Sequence, residues 1–283
     1  MVSTEDPSQL PVDLPSTSVG PESLTFDTKY EEEPYYTGIS DGRIIKYDGA
    51  NGFIDYAFTV PNRSKEVCDG IGNNRPDLEP TCGRPLGIGF YLRTKQLFIA
   101  DAYQGFLVVA PNERVATKIA SGAEGVPFKL PTGLDVDQLT GNVYFTDASS
   151  QYSLRSRRNF NKFGRIFRPR LRIHRKPNQE VLLTGPKAFT SEVLITFQGR
   201  PINIKRTSLG EFWVAVNIQT QNASSGTITN IPTGIKINST GNILRTVDLS
   251  QFYGDTNISD FQQRKRQFYV GTLRTDFLGR LSI

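Results

Sequence analysis

One histidine and two cysteines are the whole stock of soft ligands and neutral-range bases in this chain of 283 residues. A zinc site of Cys and His ligands cannot be assembled from it. A Ser-His-Asp nucleophile would have to use His174, which stands among arginines with no carboxylate nearby in sequence. That position reads as a solvated basic loop. Carboxylates are plentiful but uneven: eight lie between Met1 and Pro34 against Lys29 alone, and ten Lys or Arg with no acid lie between Arg155 and Lys176. The net charge of +5 therefore comes from one segment and is no property of the whole surface. That segment interleaves Phe160, Phe163 and Phe167 with its cations, a composition able to grip phosphates and stack bases. The rest of the chain is net acidic and holds no RNA or DNA motif, so a basic loop on a rim is the expected reading, with no nucleic-acid partner.

Any chemistry must then be positioned by strands. The chain reads as short alternating apolar stretches between turn residues, with almost no helical periodicity. No apolar run approaches the length of a membrane span. A unit recurs: a Pro, a small residue, an alternating stretch, a polar or Gly-containing turn, then a strand rich in aromatics. Copies open at Pro21, Pro85, Pro131 and Pro201, and a last one without Pro opens at Asn257. Turns such as Gln138-Leu139-Thr140-Gly141 and Ser208-Leu209-Gly210 make each copy a β-hairpin. A third strand follows at Gly42-Arg43-Ile44, Gly164-Arg165-Ile166 and Gly279-Arg280-Leu281. Repeats of roughly 40–50 residues with about four strands predict an all-β propeller, since a sandwich gives no reason for a recurring hairpin. The spacing between Pro131 and Pro201 is too long for one blade and too poor in hairpins for two. It predicts an incomplete blade around 165–198, within a single domain spanning 19–283 after a disordered segment 1–18.

Several long motifs carry a resemblance. GISDGRIIKYD, the stretch from Cys68 through DGIGNNRPDLEPTCGRPLGIGF, LFIADAYQG, GVPFKLPTGLDVDQLTGNVYFTDASSQY and GPKAFTSEV together resemble the plant strictosidine synthase-like family over most of 19–283. The resemblance implies a six-bladed propeller, a monomer, a secretory route to the vacuole or the cell exterior, and a small-molecule ligand at the propeller axis. It implies no cofactor. The family's activity is Pictet–Spengler condensation of tryptamine with secologanin in alkaloid biosynthesis, in which a Glu serves as the base. Aligned on FYVGTL, that Glu position falls on Ser259 and the family's His position on Asn257, so no catalytic residue is carried over. Serine without a partner is no base at neutral pH. Asp260 is adjacent, but alternation along a strand predicts that it faces away. A pocket Tyr of the synthases aligns with Thr132, and Thr132, Asn203 and Ser259 are the pocket candidates.

Related propellers hydrolyse lactones and phosphotriesters with an axial calcium. Glu22 resembles one ligand of such a site and Asn203 could supply another, which leaves a calcium-dependent lactonase or esterase as the alternative function. The family pairs the cysteines matching Cys68 and Cys82, where two free thiols would suit a cytosolic chain instead. Sequons at Asn222, Asn62 and Asn238 are candidate glycosylation sites, Asn222 the best placed, whereas that at Asn257 should lie too near the axis. MVSTEDPSQLPVDL has neither a basic n-region nor an apolar core, so a secreted form is expected to begin upstream. Two origins of the gap before Pro201 compete: a real variant with a five-bladed or imperfect ring, or a misassembled gene. Unpaired strand edges beside the axis favour the second.

Overall fold

The computed structural model describes residues 12–147 and 195–282, apart from 16, 29–33, 73–74, 124–125, 140, 142, 196, 208, 222–225, 227 and 239, and adds Leu154. The basic stretch, Asn222 and most of the expected incomplete blade thus lie outside the described residues.

The chain starts in the last blade, with β1 (Val12–Asp13). The first complete blade is the meander β2 (Leu24–Phe26), β3 (Tyr35–Gly38), β4 (Arg43–Tyr47) and β5 (Phe53–Phe58). Two one-turn helices, α1 (Lys65–Cys68) and α2 (Glu79–Cys82), lead into the second, β6 (Pro85–Tyr91), β7 (Gln96–Asp101), β8 (Gly105–Val109) and β9 (Thr117–Ala120). The small hairpin β10 (Gly122–Ala123) and β11 (Val126–Pro127) precedes β12 (Pro131–Val136) and β13 (Val143–Asp147), the inner hairpin of the third. Next comes β14 (Gly199–Arg206), β15 (Phe212–Gln221), β16 (Ile228–Ile237) and β17 (Ile243–Asp248). After α3 (Ser250–Tyr253), β18 (Ile258–Arg264), β19 (Gln267–Thr272) and β20 (Phe277–Ser282) build the last sheet, which β1 completes by pairing with β20. The fold therefore reaches back to Val12, upstream of the domain start expected at 19. Pairing the N-terminal strand with the C-terminal blade closes the ring and removes an open edge.

The five hairpins expected from the repeat all form, and each supplies the inner strand of a blade: β2, β6, β12, β14 and β18. Among the described residues β12 lies against β14, so five inner strands close around the axis across the long spacing. The propeller expected from the repeat is thus observed as four four-stranded blades and one inner hairpin. Blade cores are apolar and shared. Tyr36, Ile44, Ile88, Phe90 and Leu97 join the first two blades, while Trp213, Phe261 and Phe268 join the last two. Near the axis the backbones converge. A Cβ on Gly87 would sit 1.8 Å from the Thr132 carbonyl oxygen, and one on Gly271 would sit 2.4 Å from that of Pro21. No helix of the described residues is long and apolar enough to cross a membrane.

Candidate functional site at the propeller axis

The inner strands bring a cluster of polar side chains to the axis. Glu22 precedes β2, and Asn203 and Lys205 stand two apart on β14. Asp135 stands on β12, and Ser259 and Asp260 on β18. Glu22, Asn203, Ser259 and Asp260 are almost wholly buried. Asn203 donates from Nδ2 to Glu22 Oε2 at 3.2 Å. Lys205 Nζ donates to Ser23 Oγ at 3.1 Å and to the Leu134 carbonyl at 3.4 Å, and lies 3.6 Å from Asp260 Oδ2. That same oxygen accepts from Leu24 N at 2.8 Å. One ammonium from β14 thus links three inner strands.

Burial sets the protonation of the cluster. It pushes the Glu22 carboxyl up to about 8; Asn203 opposes this, Asp260 adds to it, and the Arg84 and Lys205 charges oppose it. Burial also raises the carboxyls of Asp260 and Asp135, in both cases against the pull of Lys205. Water is excluded, so each charge depends on its protein partners. Two acceptors have none: Asn203 Oδ1 and Asp260 Oδ1 are buried without a hydrogen bond.

The residues expected in the pocket separate. Asn203 and Ser259 are axial. Thr132 is buried on β12, its carbonyl pressed against Gly87. Ser259 Oγ donates to the Glu22 carbonyl at 2.7 Å, a structural bond. Asn257 is solvent exposed just before β18, while Ile258 and Ser259 of its sequon are buried. The expectation that Asp260 faces away does not hold. The β18–β19 register shifts between Ile258 and Asp260, and this irregularity at Ser259 breaks the alternation that the expectation assumed. Asp260, not Ser259, carries a carboxylate into the cluster.

Lys205 was not foreseen, although its spacing from Asn203 on an alternating strand puts both on one face. Asn217 was also missed: its amide exchanges two bonds with the backbone of Ile258, at 2.8 and 2.9 Å, and anchors the start of β18. Of the sequons described, Asn62 is exposed, while the Asn238 Oδ1 accepts from Thr240 and Asn242 in a turn. Cys68 and Cys82 form a disulfide.

Among the described residues, four four-stranded blades and one inner hairpin around a buried polar axis define the molecule as a β-propeller. No family model matches the chain. It is 33% identical over 318 residues to the protein STRICTOSIDINE SYNTHASE-LIKE 12 of Arabidopsis thaliana, covering 100% of this chain and 92% of the relative. It is 30% identical over 305 residues to strictosidine synthase of Catharanthus roseus, covering 95% and 85%. The chain belongs to the plant strictosidine synthase-like family. The first of these alignments is longer than the 283 residues of this chain, so the relative carries residues with no counterpart here. Among solved structures, a gluconolactonase from Xanthomonas campestris superposes with a TM-score of 0.47 at 11% identity, covering 96% of this chain and 87% of that one.

Proposed function

We propose that this protein is a member of the family that does not catalyse the condensation, and that it binds a small ligand at the axis within the plant secretory system. The carrying observation is the Ser259 hydroxyl, which stands at the family's base position and is spent on the Glu22 carbonyl. The neighbouring carboxylate offers no substitute. Asp260 is held by Leu24 N and Lys205 through one oxygen, and its other oxygen is shielded from solvent. A base must reach the proton it removes, and neither group does. The unpartnered acceptor Asn203 Oδ1 supports a ligand that brings a hydrogen-bond donor. The disulfide supports an oxidising compartment. Tryptamine and secologanin supplied to the folded, secreted protein should give no condensation product; product formation at rates typical of enzymes would overturn the reading.

The calcium-dependent hydrolase stands second. Calcium takes six to eight oxygen ligands. The axis offers Glu22, whose burial favours the neutral acid, with Asn203 and Asp260, and the Lys205 ammonium lies among them. No group of three or more His, Cys, Asp or Glu among the described residues is placed to hold a metal. That donor set does not fit calcium. Added calcium should leave the melting temperature unchanged, whereas a saturable rise would revive the hydrolase.

A further inference from the structure

A second concavity lies away from this cluster, between the first two blades. Glu22 precedes β2 and Asp27 follows it, so the two mark opposite ends of that strand. At the Asp27 end a groove of about 560 Å³ opens, within the range of small-molecule sites. Its apolar wall is an aromatic trio. Tyr36 packs edge to face on Tyr56 and on Phe90, each with centroids 4.8 Å apart, and Tyr56 meets Phe90 at 6.1 Å.

Asp27 is the polar feature of that wall. Its Oδ2 accepts from the Tyr36 hydroxyl at 2.9 Å, which fixes the carboxylate against the trio. Its Oδ1 is buried and has no hydrogen-bond partner. A buried acceptor left unpaired costs free energy that a donor would recover. The two cations on the groove do not supply one. The Lys95 ammonium is bound to the Asp27 carbonyl, and Arg114 donates to the Asp55 carbonyl at 3.3 Å while lying over the Phe58 ring. Of the other acids lining the groove, Asp55 is paired with Arg43 at 2.9 Å, and Glu113 is exposed. Asp27 is therefore the one acid of the groove that is fixed, shielded and half satisfied.

We infer that this groove is a second ligand site, for a small primary amine carrying an aromatic ring. The ammonium would donate to Asp27 Oδ1 in a charge-assisted bond, and the ring would pack on Tyr56, the partly exposed member of the trio. The aromatic faces favour the same positive charge. An amine satisfies both features, where a carboxylate or phosphate would meet Asp27 as a like charge.

Titration calorimetry on the full chain tests the assignment with benzylamine and the uncharged benzyl methyl ether. Benzylamine should bind at least about tenfold more tightly, the difference a charge-assisted hydrogen bond makes. Asp27→Asn should abolish that preference, and Lys205→Met at the axis should leave it intact. Equal affinities, no saturable binding at millimolar benzylamine, or a preference surviving in Asp27→Asn would overturn the site. Loss of the preference in Lys205→Met, in protein that still melts cooperatively, would move the amine to the axis and overturn it as well. Should Asp27→Asn fail to fold, Tyr56→Leu gives the second reading: benzylamine must weaken with the fold retained, and unchanged affinity would count against the groove.

Discussion

Glu22 holds a carboxyl where water cannot reach it, and the consequence is a stability that depends on pH. Its folded value, about 8, lies above the ordinary 4.5, so the native state keeps a proton that the unfolded chain releases. The stabilisation is complete below the ordinary value and is lost as pH rises through about 8. Burial raises Asp260 and Asp135 in the same direction. Melting temperature should fall between pH 5 and pH 9, and Glu22→Gln should remove much of that slope, on the order of 5 kcal/mol at most across the window. A variant with an unchanged slope would show that Glu22 is not the group responsible. Ser259 gives a second test at this scale. Ser259→Glu would place another acid against the Glu22 carbonyl, beside Asp260, among buried side chains. A loss of about 2–4 kcal/mol by chemical denaturation is expected, without condensation activity. Activity gained in that variant would mean that one residue separates this chain from the synthases.

Among the elements, the segment joining the first two blades depends most on cross-links. Asp41 is buried and receives Arg43, Ser18 and the Gly70 amide, while Arg63 donates to the Asp41 carbonyl at 2.9 Å and also pairs with Asp69. The disulfide closes the same segment over a sequence separation of 14. In the chain-entropy account, closing a loop of that size contributes about 3 kcal/mol. The double change Cys68→Ala, Cys82→Ala should lower the melting temperature by about 5–10 °C, and reduction should act similarly. A fall of less than about 2 °C would mean that the Asp41 network alone holds the segment. Beyond this segment, Arg84 passes from the entrance of β6 to the carbonyl of Leu273 at 3.0 Å, with weaker contacts to Val19 and Gly20. It ties the second blade to both ends of the chain.

At the scale of the whole molecule, ring closure is the controlling event. β1 pairs Val12 with Leu278 and Asp13 with Phe277, and Leu14 N adds a bond of 2.7 Å to the Asp276 carbonyl. Removing residues 1–14 should expose β20 and broaden the calorimetric transition while lowering its midpoint. A truncated protein that melts as the full chain does would show that the inner strands close the ring unaided. The adjacency of β12 and β14 bears on the shortened chain in the same way. Among the described residues the five inner strands follow one another around the axis, with β12 against β14, so no open edge is left between those two. This weakens the argument from unpaired edges, on which the misassembled-gene origin rested.

Much of this was legible in the sequence. Hairpins at Pro21, Pro85, Pro131, Pro201 and Asn257 follow from alternation and turn residues, which are local properties of the chain. The cysteine pair and the family followed from long ordered motifs. The sequence also placed Ser259 where the synthases have a base, and Asn203 and Glu22 near the axis. Contacts between distant residues were beyond its reach. Asp260 enters the axis because a register shift in β18 overrides simple alternation, and no local pattern announces such a shift. Lys205 becomes the hub because three strands far apart in sequence converge within reach of one ammonium. The groove at Asp27 exists because β5 and β6 come together from different blades. Local composition determined the inner hairpins; only the convergence of blades decided which side chains meet, which are cut off from water, and hence which acids hold their protons.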